Sequence, residues 1–314
     1  MADLKFITRN KNLISVTGLA SVNGSDSLFF YKQGEDGAAI AAEATEHQRV
    51  QQVTANIAGI RAPEFRLYDE QQNVLVMEHV KNTTSLFNHL WNNTRWLDIR
   101  RFRGFDPLDA GLRLGKWLNC YHASTSRLEP DIDPYCLWLL ESSFQKIQAL
   151  ISGNSGFLSP TTADNVVERL KQLEIGAHSI GPQIVGRIHG DLELFANILV
   201  TGSRELIVID FGYSREGLVL EDIFRLWNSI WVISKTSRLR HRLLTPCLES
   251  LLNAYGISWS AVDPTLIALL RIWNYLCSLL ALAAFQTGFR FGDRSYVSRL
   301  VKVYQECLVA EVTL

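Results

Sequence analysis

The sequence has few cysteines and almost no net charge, and both features disfavour certain classes of function. Its five cysteines are widely spaced along 314 residues, and no Cys-x-x-Cys pair occurs. This pattern favours neither a disulfide framework nor a zinc site, and it indicates free thiols in a reducing compartment such as the cytoplasm. The formal net charge is −1 at pH 7, so we expect no bulk binding of nucleic acid.

Long, uninterrupted apolar runs are also missing. The first twelve residues contain no apolar segment of the kind that a signal peptide needs. The most apolar stretch, residues 266–285, is interrupted by Arg271 and Asn274, and its uncharged remainder is shorter than the ~20 residues of a spanning helix. We expect it to be a buried helix, with membrane insertion as the less favoured alternative. Apolar residues make up 47% of the chain, which is enough for a sizeable core.

The most informative part of the chain is residues 187–227. Two short, strongly apolar runs, residues 198–200 and 206–209, stand on either side of Thr201-Gly202-Ser203. Runs of this length, separated by small turn residues, are typical of two buried strands in a hairpin.

Polar side chains lie at the ends of this hairpin. Asp191 and Asn197 precede the first run, and Asp210 follows the second. Polar groups beside buried strands are costly unless they are paired or bound to a metal. We therefore expect the three side chains to converge at one edge, where their oxygens would suit Mg²⁺ with phosphate.

The same stretch resembles the signature of the protein-kinase-like fold, in the branch of aminoglycoside phosphotransferases and choline kinases. The residues that carry the resemblance are His189-Gly190-Asp191, Asn197, Asp210-Phe211-Gly212, Gly217 and Asp222. It implies an α+β, bilobal fold with a small β-rich lobe that contains one helix and a larger, mostly helical lobe. We place the lobes at residues 1–80 and 81–314.

The resemblance also implies roles for these residues and the use of ATP and Mg²⁺. Asp191 would be the base or orienting group for an acceptor hydroxyl, and Asn197 and Asp210 would hold the metal. Asp222 would brace the catalytic loop from the interior, and His189 would be a packing residue.

The chain departs from the family in the length of the catalytic loop. Five residues, 192–196, separate Asp191 from Asn197, where the family has four. Two alternatives stay open: the extra residue bulges the loop, or it shifts Asn197 away from the metal and leaves a weak or inactive enzyme.

The small lobe contains the expected nucleotide contacts. We predict strands at residues 13–16 and 27–31, joined by a small, polar turn at residues 17–26 whose backbone N–H groups could approach phosphates. Lys32 ends the second strand, and the resemblance implies that it contacts the α- and β-phosphates. The commoner alternative is an exposed lysine at a strand end.

A helix is predicted over residues 38–57, and two of its acids share a face, Glu43 and Glu46. We prefer Glu46 as the partner of Lys32, because pairing with Glu43 would leave a shorter stretch of chain between the lysine and its acid. Strands at residues 65–68 and 74–77 should follow. Glu78 and Val80 then belong to the hinge between the lobes, where their backbone would bind the adenine edge.

The charge balance of residues 211–302 bears on the acceptor. This span contains eleven Lys and Arg but six Asp and Glu. A polycationic aminoglycoside or a quaternary amine would bind better to a site with an excess of acidic residues. We therefore expect the acceptor to be a neutral or anionic, sugar-like hydroxyl compound. Arg238, Arg240 and Arg242 are candidate contacts. The basic and aromatic run at residues 95–103 is more typical of a solvated face than of a nucleic-acid site.

The sequence thus predicts an ATP-dependent phosphotransferase that acts on a hydroxyl of a small molecule. One alternative is a pseudokinase, a nucleotide-binding or interaction module without turnover. The other is a protein kinase, which the short segment at residues 211–221 disfavours because it leaves little room for a docking loop. The sequence does not distinguish ATP from GTP or give the oligomeric state.

Overall fold

The computed structural model describes residues 4–8, 10–11, 15–23, 27–93, 106–153, 156–286 and 294–313. Within them the chain is an α+β protein with an N-terminal sheet and a mostly helical remainder, which confirms the predicted fold class. The basic run at residues 95–103, the start of the first predicted strand at residues 13–14 and the end of the predicted turn at residues 24–26 lie outside the described residues.

The N-terminal sheet is antiparallel, with the strand order β1-β3-β4-β7-β6 and β2 paired to β3. Its residues alternate between two faces, as a strand period of two requires. Val74 and Val76 point to one buried cluster, whereas Leu75 and Met77 point to the other, against α1. The elements of this part are β1 (Leu4–Phe6), β2 (Asn10–Lys11), β3 (Ser15–Val22), β4 (Phe29–Gly34), α1 (Gly37–Thr54), β5 (Ile60–Arg61), β6 (Phe65–Asp69) and β7 (Val74–Glu78).

Strand β3 occupies much of the predicted phosphate turn, so that prediction is wrong for residues 17–22. Small, polar residues suggested a turn, but Gly18 serves close packing within the sheet. A Cβ there would lie 2.0 Å from the carbonyl oxygen of Thr8 and 2.9 Å from the ring of Tyr31. A glycine inside a strand often marks such an approach. Lys32 likewise lies within β4, paired with Thr17 and Leu75, and does not end the strand.

The predicted hairpin is confirmed, with Leu199 opposite Ile207. Its strands are the centre of a four-stranded sheet in the order β5-β12-β11-β8, and a second small sheet has the order β13-β10-β9. The remaining elements are β8 (Thr84–Ser85), α2 (Leu86–Asn93), α3 (Pro107–Ala123), β9 (Arg127–Glu129), α4 (Asp133–Ser152), α5 (Pro160–Ala177), β10 (Gln183–Ile188), β11 (Ile198–Val200), β12 (Leu206–Val208), β13 (Arg215–Leu218), α6 (Val219–Lys235), α7 (Arg238–Tyr255), α8 (Pro264–Gln286) and α9 (Arg294–Thr313).

Helices α3 and α7 pack very closely, because α3 carries glycine at two positions four residues apart. A Cβ on Gly111 would lie 2.2 Å from the carbonyl oxygen of Cys247, and one on Gly115 would lie 2.4 Å from that of Leu251. Any side chain at these positions would push the two helices apart.

Helix α8 is the buried helix that the sequence predicted. The segment Pro264–Ala284 is long and apolar enough to cross a membrane by length and composition, but 67% of its most apolar window is buried in the fold. It packs against α4, α5, α6 and α9. Burial in the protein core therefore accounts for its apolar composition.

Candidate functional site

Lys32 joins the N-terminal sheet to the polar end of the hairpin. Its Nζ donates to Glu43 Oε2 at 2.8 Å and to Asp210 Oδ1 at 2.7 Å. Asp210 follows β12 and has a φ of 66°, a left-handed conformation that is uncommon for a residue with a side chain. Burial alone would lower the pKa of Lys32, but the two carboxylates raise it above its usual value, so the ammonium stays charged.

Glu46 does not pair with Lys32, and that prediction is wrong. Residues three apart lie about 60° apart around a helix, which is enough to send Glu43 to Lys32 and Glu46 in another direction. Glu46 accepts hydrogen bonds from Arg49, from the Tyr121 hydroxyl at 2.8 Å and from Arg187 Nε at 3.3 Å. Burial opposes ionisation of Glu46, but these donors outweigh it and hold its pKa below the usual value.

The catalytic loop begins where β10 ends, and Asp222 holds its backbone. Asp222 Oδ2 accepts from the backbone N–H of His189 at 2.6 Å, and Oδ1 accepts from that of Gly190 at 3.0 Å. This contact confirms the predicted bracing. His122 Nε2 also lies 3.1 Å from Asp222 Oδ2, a contact that was not predicted from the sequence.

His189 packs as predicted, with its ring 5.0 Å from that of Phe211. Its Nε2 is 3.0 Å from the carbonyl oxygen of Ile209, which ties the segment after β12 to the loop. Gly190 has a φ of 76°, and a Cβ on it would lie 2.4 Å from the carbonyl oxygen of Tyr213. Only glycine satisfies both constraints at this position.

The extra residue in the loop is taken up by a turn that leaves Asn197 beside Asp191. The backbone N–H of Asn197 donates to the Glu193 carbonyl oxygen at 3.0 Å. Its side-chain Nδ2 donates to the Asp191 carbonyl oxygen at 2.5 Å and to Asp191 Oδ2 at 3.1 Å. The carbonyl of Asn197 in turn accepts from Ile209, next to Asp210. The loop therefore keeps Asn197 beside Asp191, and the position of Asn197 relative to a metal stays a prediction.

One residue at this site was not singled out from the sequence. Arg225, on α6, donates from Nη2 to Asp191 Oδ1 at 2.5 Å and to Glu193 Oε1 at 2.7 Å. The sequence reading counted Arg225 only among the basic residues of the C-terminal part. Its position one helical turn after Asp222 was the available signal, because residues three apart on a helix share a face.

The three arginines proposed to contact the acceptor lie in different environments. Arg240 is only 4% exposed, and its guanidinium carbon lies 3.7 Å from the ring centroid of Trp91. It also donates to Thr236 Oγ1 at 2.9 Å. These contacts make Arg240 a packing residue, so it is withdrawn as an acceptor contact. Arg238 and Arg242 are exposed on the first turns of α7.

The predicted hinge residues lie at the end of β7. Arg61 binds the Glu78 carboxylate with both terminal nitrogens, at 2.5 and 3.0 Å. The backbone N–H of Glu78 donates to the Glu64 carbonyl oxygen at 2.8 Å. Val80 follows and is half-buried. The proposed adenine contact of Glu78 and Val80 stays a prediction, and it cannot use the N–H of Glu78 while this bond is made.

The donor set fits Mg²⁺ held jointly with phosphates. No group of three or more His, Cys, Asp or Glu that could hold a metal is found in the described part of the chain. Asp210 accepts from Lys32 with Oδ1 and Asn197 donates from Nδ2, so Asp210 Oδ2 and Asn197 Oδ1 are the oxygens that could bind a hard cation. Magnesium in proteins commonly uses one or two such ligands together with water and substrate phosphates.

Part of the chain matches a known protein family. Residues 167–264, which include Asp191, Asn197, Asp210 and Asp222, match the model of the phosphotransferase enzyme family. A search of curated proteins finds no match.

Solved structures show a likeness over nearly the whole chain. A glucosamine kinase aligns with a TM-score of 0.58 at 12% identity, covering 98% of this chain and 94% of its own. A spectinomycin phosphotransferase in complex with ADP and spectinomycin aligns with a TM-score of 0.56 at 13% identity, covering 99% and 93%. A choline/ethanolamine kinase family protein from Mesorhizobium loti aligns with a TM-score of 0.50 at 16% identity, covering 94% and 91%.

At such low identity these likenesses describe the fold. They show a protein-kinase-like fold, and the match over residues 167–264 is consistent with a likeness to aminoglycoside phosphotransferases and choline kinases.

Proposed function

We propose that the protein is an ATP-dependent phosphotransferase that moves the γ-phosphoryl group to a hydroxyl of a small molecule. The observation that carries the proposal is two side-chain contacts linked through the backbone, because the N–H of Ile209, next to Asp210, donates to the carbonyl oxygen of Asn197. Lys32 contacts Asp210 directly, and Asn197 contacts Asp191. The family match over residues 167–264 supports the reaction class, because it includes three of these four residues.

Each side chain has a task in this proposal. Asp191 aligns the acceptor O–H and receives its proton, whereas Lys32 orients the triphosphate. Asn197 and Asp210 would hold Mg²⁺, which supplies charge neutralisation of the phosphates when it is bound. The protein forms no covalent intermediate, so positioning and electrostatic stabilisation carry the catalysis.

For the acceptor we propose a neutral or anionic, sugar-like hydroxyl compound. The excess of basic residues over residues 211–302 supports this choice, with Arg238 and Arg242 as exposed candidates. The glucosamine kinase structure in complex with glucosamine, ADP and inorganic phosphate makes amino sugars the comparison that an acceptor panel must include. A panel in which only aminoglycosides or choline accept phosphate would contradict this choice of acceptor.

The test of the proposed reaction is ADP release with a panel of hydroxyl acceptors. We expect Asp191→Asn to abolish turnover while ATP affinity is retained, and Asp210→Ala to weaken binding of the Mg-nucleotide itself. Wild-type turnover by Asp191→Asn would show that Asp191 is not the base.

The five-residue loop also supports a second candidate, a nucleotide-binding pseudokinase. In this structure Asn197 uses its amide group to hold the loop, and a residue committed in that way contributes less to a metal site. Thermal stabilisation by Mg-ATP without ADP release, across the whole acceptor panel, would favour this candidate.

A further inference from the structure

Helix α6 contacts the catalytic loop at two points, and only the first of them concerns the backbone. Asp222 accepts from the backbone N–H groups of His189 and Gly190. Arg225, one turn further along the helix, reaches the side chain of Asp191 itself. The same rigid element therefore controls both the path of the loop and the direction of its carboxylate.

The contact made by Arg225 is specific. The two bonds leave from one atom, Nη2, to Asp191 Oδ1 at 2.5 Å and to Glu193 Oε1 at 2.7 Å. Nη2 has two hydrogens, so both are used. The Arg225 side chain is 11% exposed, and that of Glu193 is 10% exposed, whereas that of Asp191 remains 31% exposed. Arg225 and Glu193 thus form an enclosed ion pair that contacts the more accessible carboxylate of Asp191.

An enclosed cation of this kind contributes little net free energy to the stability of a fold. Removing a guanidinium from water is costly, and a buried ion pair often does no better than apolar side chains of the same volume. Arg225 Nε is also enclosed without a hydrogen-bond partner, which adds to the cost. Because the buried Arg225 guanidinium contacts Asp191 directly, its unfavourable burial points to a role in fixing the Asp191 carboxylate.

We propose that Arg225 is a positioning residue for Asp191, and that Glu193 fixes Arg225 in turn. Arg225 holds Oδ1, so the carboxylate cannot rotate freely about its last bond and keeps Oδ2 directed to the Asn197 side of the cleft. Glu193 is one of the five residues between Asp191 and Asn197, so the longer loop supplies the acid that anchors Arg225. This inference rests on the proposed function of Asp191.

The main test compares Arg225→Lys in two backgrounds. In the wild type, a lysine keeps the charge but cannot serve both carboxylates with the same geometry. We expect kcat for ADP release with the best acceptor to fall about 10- to 100-fold, while KM for ATP and for the acceptor changes less than about threefold. In the Asp191→Asn background, where steady-state turnover is abolished, the same change should reduce the rate of a single turnover at excess enzyme less than about twofold, because Arg225 acts through Asp191.

A graded variant is Glu193→Gln, whose side-chain oxygen can still accept from Nη2 although its charge is lost. We expect its kcat to fall by less than that of Arg225→Lys, because Arg225 keeps its contact with Asp191. A loss as large as that of Arg225→Lys would show that the whole ion cluster stabilises the loop and would overturn the positioning role. Equal losses for Arg225→Lys in both backgrounds, or no loss in the wild type, would overturn it as well.

A structural readout keeps the inference separate from the proposed reaction. High-resolution crystal structures of the wild type and of Arg225→Lys should show the Asp191 carboxylate in different rotamers. An unchanged carboxylate would overturn the inference even if the wild type released no ADP with any acceptor. Absence of ADP release from the wild type would by itself contradict only the proposed function.

Discussion

Two acids on one helix should have opposite effects when each is replaced by its amide. Glu43 and Glu46 are both 4% exposed and lie on α1, but they face different partners. Burial raises the pKa of Glu43 above its usual value even though Lys32 opposes the shift. The fold thus gains little from the Glu43 charge, and Glu43→Gln should change the melting temperature by less than about 2 °C.

The same replacement should damage catalysis. Glu43→Gln removes the charge that holds Lys32, which orients the triphosphate in the proposed function, and a hydrogen bond to a charged partner contributes about 1.5–3 kcal/mol. If that energy is used in the transition state, kcat/KM for ATP should fall about 10- to 150-fold. Steady-state ADP release at varied ATP gives this ratio directly.

Glu46→Gln is the matched control and should show the reverse pattern. Its carboxylate serves Arg49, Arg187 and Tyr121, and its lowered pKa shows that the fold stabilises the charge. A loss of about 1.5–3 kcal/mol should lower the melting temperature by about 3–6 °C, with kcat/KM for ATP within about threefold of the wild type. Loss of ATP use by Glu46→Gln but not by Glu43→Gln would refute the pairing of Lys32 with Glu43.

Three further predictions concern the loop and the helices around it. Hydrogen bonds from His122 and the loop outweigh burial and lower the pKa of Asp222, so its contribution to stability is present above the unfolded-state value near 4 and is lost as pH falls further. Urea unfolding between pH 3 and 6 should show this loss in the wild type and a flatter profile in Asp222→Asn. Gly190→Ala should destabilise the protein by at least about 2 kcal/mol in the same assay, since Cβ would meet Tyr213; an alanine variant as stable as the wild type would contradict the described backbone. Arg240→Met should reduce stability and leave the acceptor KM unchanged, because Arg240 packs on Trp91. A large rise of that KM with unchanged stability would return Arg240 to the acceptor site.

The sequence predicted best where the chain is locally consistent. The hairpin at residues 198–208 was predicted because two apolar runs stand on either side of small turn residues, and the structure has both strands. The resemblance implied that Asp222 braces the catalytic loop, and its contacts with His189 and Gly190 agree with that role. Helix α8 followed from its apolar composition.

The sequence predicted worst where a long-range contact decides between similar local choices. Nothing local distinguishes Glu43 from Glu46, because the difference is set by Lys32 on one side and by Tyr121 and Arg187 on the other. The turn predicted at residues 17–26 is wrong over residues 17–22 for the same reason, since Gly18 packs against the distant backbone of Thr8. Arg225 was missed because it meets Asp191 across 34 positions of sequence.

The cross-links at Glu46 have a consequence for how the protein is controlled. One carboxylate ties α1 to α3 through Tyr121 and to β10 through Arg187, so α1 cannot swing outward without breaking these bonds together. Glu43 lies on the same helix, so fixing α1 also maintains the ion pair between Glu43 and Lys32. With α1 fixed in this position, the proposed enzyme would need no activating movement of the helix. Its rate would then depend on the concentrations of nucleotide and acceptor.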